Sequence, residues 1–399
     1  MYRIITETLF ETWVMARSIN IKGTRVEPRD YKEGEKVLAP LALWMHENTS
    51  GIVKEEKLKE EIIKIMKNRG YSEEESRKTT EEFFNYLADQ TQLIIPKGKG
   101  YYGFRHLSFE EFLSARALIM NESYNEYLEK YGKYEGYHRW EEVLLLTVGW
   151  LGVVDGREKE VTRIVEKLIE TKDIKKLLLA VKIVVEGLGV RKEVGEKVVE
   201  NVGHLMMKKD PLNFWTMKGS NVLIVLSKAL QIDEGSKTRT MFIEKLKNRK
   251  ENEKVRKRAA YWLSRLVKDN EEIREILIGI LKDRGEKIGV RGIVAYSLSR
   301  LVKDDKEIRE IFIEILKEIL KDREEDEELR KIVAFGLSIL SELVKDDKEI
   351  RKIFIEILKD RKEDGGLREV VAFGLSILVK DDKEIRKIFI EILKDRKEE

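Results

Sequence analysis

Tyr101-Tyr-Gly-Phe-Arg-His-Leu-Ser-Phe-Glu-Glu-Phe-Leu-Ser-Ala-Arg-Ala-Leu118 decides the reading of the chain. Its first part, after the turn Lys97-Gly-Lys-Gly100, reads as a short strand. Its second part reads as a helix: Ser108 is a favourable N-cap, and Glu111 three residues later completes a capping box. Phe109, Phe112, Leu113 and Ala117 then recur at helical spacing. Before this stretch the sequence reads as a compact domain; after it everything reads as helical, and the tail repeats.

Composition sets the outer bounds. At 399 residues the chain has room for two or three domains, and 38% of its residues are charged. The formal charge is nevertheless only +3, because acids and bases interleave. Such a pattern describes solvated helix faces and offers no basic stripe for nucleic acid; even Arg256-Lys-Arg258 is flanked by acids. There is no cysteine, hence no disulfide framework and no thiolate metal site. The longest apolar run, Val143 to Val154, contains two glycines and is too short to span a bilayer. Glu7, Glu11 and Arg17 interrupt the apolar residues of the first twenty, so no signal-peptide layout is present. The expectation is a soluble, cytoplasmic protein with no membrane partner.

Residues 2 to 18 read as one amphipathic helix with Ile5, Leu9, Trp13 and Ala16 near one face. Residues 32 to 119 read as a winged helix. Helices are expected over Lys32–Glu47, Lys54–Arg69 and Ser72–Asp89, the last opened by a capping box of Ser72 and Glu75. Leu58, Ile62, Ile63 and Ile65 form the buried stripe of the second. Gln92–Pro96 and Tyr101–Phe104, joined by Lys97–Gly100, form a hairpin wing. Such units often bind DNA, but Glu73, Glu74, Glu75, Glu81 and Glu82 outweigh Arg77 and Lys78 on the third helix and would repel phosphates. Tyr124, Tyr127, Tyr131, Tyr134 and Tyr137 follow and read as packing residues. Helices are then expected near residues 158–170, 174–186 and 192–207.

From about Ser220 the chain repeats. Val255-Arg-Lys-Arg-Ala-Ala-Tyr-Trp-Leu-Ser-Arg-Leu266 recurs in altered form from Val290, Leu329 and Leu367, and a second helix lies between, with a last one over Ile388–Asp395. Neither helix can hide its apolar face alone, so stacked pairs must share a core, as in HEAT-type repeats. The arginine at the second position (Arg256, Arg291, Arg330, Arg368) reads as structural, with Asp283, Asp322 and Asp360 of the turns as its partners. Arg258, Trp262, Arg265 and Arg300 fall where the units vary, and they outline a candidate protein-binding groove; the competing reading is packing adjustment. Residues 343 to 363 are identical to 378 to 398, as a recent duplication would leave them.

No catalytic constellation emerges. A phosphate-cradling G-x-x-x-x-G-K-[ST] loop is absent, and Gly235-Ser-Lys-Thr238 lacks the required glycine upstream. His46, His138 and His204 show no metal-ligand spacing. Paired acids such as Asp304-Asp305 and Asp346-Asp347 sit at helix starts, where they cap.

The stretch around His106 resembles the element that closes the winged-helix region of NACHT-type STAND NTPases, the class that includes NOD-like receptors. Leu38-Ala-Pro-Leu-Ala-Leu-Trp-Met-His46 resembles the first winged-helix helix of the prokaryotic members, and His138-Arg-Trp-Glu-Glu-Val-Leu-Leu-Leu-Thr-Val-Gly-Trp-Leu151 the helix that follows. The resemblance covers roughly residues 1 to 155. It implies that the histidine of the motif, here His106, contacts the β-phosphate of bound ADP and senses nucleotide without catalysing anything; the residues alone favour a structural histidine bonded to backbone, and the resemblance brings the two readings level. It also implies oligomerisation on activation and a role in defence or signal transduction. ADP or ATP with Mg would enter only through an ATPase core that this chain lacks.

The expected fold is mainly all-α: the end of a helical domain over 1–20, a winged-helix-like domain with a small β-hairpin over 21–119, an irregular helical linker over 120–218 and a HEAT-like α-solenoid over 219–399. The expected function is the sensor and autoinhibitory portion of such an ATPase, acting by protein–protein interaction and not itself an enzyme. A free-standing HEAT-like scaffold is the alternative, and a winged-helix DNA-binding regulator the weaker one.

Overall fold

The computed structural model describes residues 2–12, 29–131, 138–171, 173–208, 222–266, 270–301, 306–339 and 348–378, with positions 387 and 390. The protein is mainly α-helical with one small sheet, and it divides into two units, Met1–Val198 and Val199–Glu399.

Unit 1 opens with α1 (Tyr2–Glu7), which continues as a π-helical turn over Thr8–Thr12. Thr6 and Phe10 are buried there, and the expected Ile5 is exposed. The wider π turn brings Phe10 fully inward, with the expected Leu9 half-buried beside it against the same core. Trp13 and Ala16 lie outside the described residues. Phe10 packs on Gly34 of α2 (Tyr31–Asn48), where a Cβ would come within 2.3 Å of the ring. Asp30 caps α2, its carboxylate accepting from the Lys32 N–H at 2.7 Å.

A two-residue strand, β1 (Val53–Lys54), precedes α3 (Glu55–Asn68). Leu58, Ile62 and Ile65 of α3 are buried as expected, with Met66 replacing Ile63 in the stripe. α4 (Glu73–Asn85) carries the expected capping box, with Ser72 N–H donating to the Glu75 carboxylate at 3.0 Å. It continues as a π turn over Tyr86–Thr91. Gln92 (φ 54) then turns the chain into the antiparallel wing of β2 (Ile94–Gly98) and β3 (Tyr101–Phe104), with Ile94 opposite Phe104. The strand extends into the expected loop and leaves Lys99-Gly100 as the turn, Gly100 at φ 74. β1 pairs with the other edge of β3, giving the order β1-β3-β2.

α5 (Leu107–Met120) begins earlier than expected. Ladder bonding reaches Arg105, whose N–H donates to the Leu93 carbonyl at 2.8 Å, so His106 alone is left as N-cap. Ser108 therefore falls inside the first turn, and Glu111 is a half-buried side chain whose carboxyl is pushed up by burial. The expected capping box between them does not form. Phe109, Phe112, Leu113 and Ala117 are buried as predicted, in the core that holds Leu38, Leu41 and Met45 of α2. The chain goes on through α6 (Tyr124–Lys130), α7 (His138–Gly149, ending in a π turn over Trp150–Val154), α8 (Glu158–Glu170), α9 (Ile174–Val185) and α10 (Lys192–Lys208). Tyr124 and Tyr131 are core residues. Tyr134 and Tyr137 lie outside the described residues.

Unit 2 holds α11 (Val222–Gln231) and then helix pairs: α12 (Ser236–Lys247) with α13 (Glu253–Ser264), α14 (Glu271–Lys282) with α15 (Ile288–Leu301), α16 (Lys306–Lys321) with α17 (Glu327–Ile339), and α18 (Lys348–Lys359) with α19 (Gly365–Leu378). The helix expected over 388–395 and the acid pairs at 304–305 and 346–347 lie outside the described residues.

The repeat arginines are structural, but the predicted partner is wrong. Arg256, Arg291 and Arg330 are 2 to 3% exposed, and each forks onto a glutamate of the next turn: Glu286 (2.6 and 2.5 Å), Glu325 (2.7 and 2.7 Å) and Glu363 (2.7 and 2.9 Å). Their Nε groups donate backward to the carbonyls of Leu246, Leu281 and Leu320 at 2.9, 3.0 and 3.2 Å, in the last turns of α12, α14 and α16. The aspartates pair instead with a second, exposed series: Asp283 with Arg249, Asp322 with Arg284, and Asp360 with Arg323. Aspartate opens each turn at its rim; glutamate three positions on points inward and has the longer reach a buried fork needs.

Removing one member of a buried pair strands the other. Arg291→Met should lower the unfolding free energy of the repeat unit by about 3–5 kcal/mol, whereas Arg284→Met should leave the urea midpoint within error. The hydrogen bond from Arg291 holds the Glu325 carboxyl below its usual range. A depressed folded pKa means that its stabilisation is present above the unfolded value of about 4.3 and is lost as pH falls through the lower folded value. Urea titrations at falling pH should show a steeper loss in the wild type than in Arg291→Met.

Candidate functional site

His106 occupies the bend between wing and helix. Its backbone is extended (φ −130, ψ 142), as N-caps require, but its imidazole makes no capping bond. The side chain is exposed and rests edge-on to Phe109, ring centroids 5.7 Å apart. Arg105 beside it donates to Gln92 at 3.2 Å. From Gln92 to His106 the chain carries Lys97, Lys99 and Arg105 and no carboxylate. An anion approaching the imidazole from the wing side therefore meets a positive field.

Below this bend lies a buried polar junction that the sequence reading had left as scattered residues. His46, at the end of α2, is 2% exposed; its Nδ1 lies 3.0 Å from Glu110 Oε1 of α5, and its Nε2 3.0 Å from the Arg139 carbonyl of α7. A carbonyl only accepts, so Nε2 donates. The Arg139 guanidinium donates to the Thr49 carbonyl at the C-cap of α2 (2.6 Å) and approaches Glu110 at 3.4 Å. Trp140 closes the pocket, edge-on to His46 at 4.7 Å. One carboxylate and one carbonyl do not make a metal centre; the arrangement clamps three helices. Glu110 is 64 positions from His46 in sequence, and no spacing rule links them.

The proposed groove residues part company. Trp262 is wholly buried, a core side chain and not a contact surface. The equivalent position is buried Ser297, Gly336 and Gly374 in later units. A Cβ at Gly336 would sit 3.1 Å from Ser299, and one at Gly374 2.2 Å from Ser338. This position varies because neighbouring helices approach closely there, which is the packing reading. Arg258 is half-buried and donates to the Met207 carbonyl at 2.8 Å. Arg265 lies over the Tyr261 ring and donates to its hydroxyl at 2.9 Å. The side chain of Arg300 lies outside the described residues. Among the exposed apolar side chains of this helix row are instead Ile288, Phe335, Phe373 and Ile377, the two phenylalanines one position before the buried site.

Residues 1–118 match the family described as the winged helix-turn-helix domain C-terminal to NACHT. The N-terminal part of this chain is thus similar to that domain. The matched stretch thus ends within α5, just past the wing and His106. No curated protein matches the chain. Among solved structures, it is similar to an engineered protein from the Northeast Structural Genomics Consortium, at 13% identity over 94% of both chains with a TM-score of 0.28. It is also similar to Kap121p bound to RanGTP, at 12% identity over 94% of this chain and 45% of that one, TM-score 0.33. Kap121p bound to Pho4p gives 12% identity over 98% and 47%, TM-score 0.32. The chain spans about half the length of the Kap121p chains, and scores this low say nothing of what it binds.

The junction that ties α2 and α5 to α7 sets a quantitative expectation. His46→Phe leaves Glu110 buried without its closest partner and should cost about 3–5 kcal/mol. Adding Glu110→Gln should recover part of that loss in a double-mutant cycle read by chemical denaturation.

Proposed function

We propose that this chain is the regulatory portion of a NACHT-type STAND signalling ATPase: the winged helix gates nucleotide exchange, and the helical repeats perceive a ligand or hold the closed form. The match of residues 1–118 to the NACHT-associated winged helix is the observation that carries this reading. The exposed, uncapped imidazole of His106 in a carboxylate-free wing supports its role as the contact to the β-phosphate of ADP. His106 would act as a sensor, with no catalytic residue in this chain, and ADP or ATP with Mg would be held by an ATPase core in an adjoining segment or another polypeptide. A ligand that binds the open form more tightly would shift the equilibrium toward it. Signalling in cytoplasmic or antiviral defence through protein partners and homo-oligomers is the setting this reading implies. Among the described residues no helix is long and apolar enough to cross a membrane.

The division into two units, the second with its own continuous arginine–glutamate ladder, favours a second reading: a HEAT-like adaptor that works without nucleotide. Phe335, Phe373 and Ile377 are then the repeat side chains a protein partner would reach. DNA binding is disfavoured further by the ion pairs of α4, where Glu73 engages Lys67 and Arg77 while Glu81 engages Lys59.

An immunoblot of source cells with an antibody to the repeats separates the two readings. The regulatory reading expects a polypeptide well above 46.9 kDa, or a 46.9 kDa chain that co-purifies with a nucleotide-binding protein. In either assembly, His106→Ala should release ADP faster. A lone 46.9 kDa chain with no such companion, or unchanged ADP release, overturns it.

A further inference from the structure

Unit 1 contains a cleft of about 740 Å³ that the winged helix and its histidine do not touch. Arg157, Lys159, Arg163, Lys167 and Arg191 line it. Two acids also line it, and both are engaged. Glu158 faces Arg191 at 3.6 Å, and Glu160 faces Arg157 at 3.4 Å while accepting from the Tyr124 hydroxyl. Lys159, Arg163 and Lys167 have no carboxylate within ion-pair distance among the described residues.

Those three cations stand four residues apart on α8, so they share one face at intervals of about 6 Å. Like charges at this spacing destabilise a helix. Elsewhere Lys36, Lys64, Lys130, Lys257 and Lys331 each form an ion pair with an acid three or four positions away. On α8 the three cations instead open into a cleft of ligand size, and their charge calls for an anion from outside.

We propose that this cleft binds a small polyphosphorylated molecule, with Arg163 and Lys167 as its main contacts and Lys159 at the rim. Several phosphate groups in a row match a row of cations better than a single carboxylate or sulfate does, and guanidinium forks suit phosphate oxygens. The proposal is independent of His106 and of any ATPase core.

The test is isothermal titration of the full chain at fixed ionic strength with inorganic tripolyphosphate, with ATP and with sulfate. Saturable binding of tripolyphosphate or ATP, weakened about tenfold or more by Arg163→Gln/Lys167→Gln and unchanged by Lys254→Gln, supports the cleft. Tripolyphosphate and ATP binding alike means a site for bare polyphosphate; ATP binding alone means a nucleotide. Because removing like charges relieves repulsion, the double variant should unfold no earlier than the wild type. The proposal is overturned by the absence of saturation with both probes, by sulfate binding equally well, by undiminished binding in the variant, or by earlier unfolding of the variant.

Discussion

A guanidinium sealed between two helix pairs must have a carboxylate, and that requirement organises the repeat unit. Arg256, Arg291 and Arg330 reach backward with Nε to a carbonyl in the last turn of the preceding helix and forward with the fork to a glutamate in the turn of the next pair. The backward bond satisfies a carbonyl that helix geometry leaves orphaned and places positive charge at the negative end of the dipole. The forward bonds fix how far one pair stands from the next. Apolar stacking alone tolerates sliding; a two-pronged hydrogen bond at 2.5 to 2.7 Å does not. Arg368 repeats the backward half, with Nε 3.2 Å from the Leu358 carbonyl. The residues that would continue the forward half lie beyond the described ones.

In unit 1 the corresponding constraint is the buried carboxylate of Glu110. The three stretches that carry the family resemblance, ending at His46, containing Glu110 and beginning at His138, are far apart in sequence, and they meet here. His46 comes from α2, Glu110 from α5, and Arg139 from α7. The junction thus joins those three segments of this chain through one buried carboxylate. Each supplies one partner to a junction in which none can be dropped without leaving a buried polar group unanswered. The clamp also fixes the start of α5, and with it the bend on which His106 stands.

Most helices were legible because their apolar stripes are clean, as with Phe109, Phe112, Leu113 and Ala117. What failed was finer and has identifiable causes. Ser108 and Glu111 have the right residues for a capping box, but strand pairing through Arg105 places the helix start before them. The β1 strand is two residues long and carries no periodicity to detect. The turn sequences offer both an aspartate and a glutamate to each buried arginine, and only the turn's conformation decides which one points inward. Trp262 looked like a surface anchor because it varies among the units. It varies because two helix backbones need differing clearance there, which a repeat alignment cannot distinguish from a change of ligand. His106 was the reverse case, since its exposure and missing cap were invisible in the sequence.

The near balance of 78 basic and 75 acidic residues now has a structural meaning. A large share of the bases is consumed internally: by buried forks in the repeats, by the rim series of Arg249, Arg284 and Arg323, and by helix-face pairs. Net charge therefore reports how completely the architecture answers its own ions, and says little about external partners. The informative groups are those the architecture leaves unanswered. In unit 1 two such groups are the wing, with three bases and no acid from Gln92 to His106, and the face of α8 that carries Lys159, Arg163 and Lys167. A row of like charges on one helix face costs stability. On α8 that cost falls on Lys159, Arg163 and Lys167, which share one face and the cleft beside it.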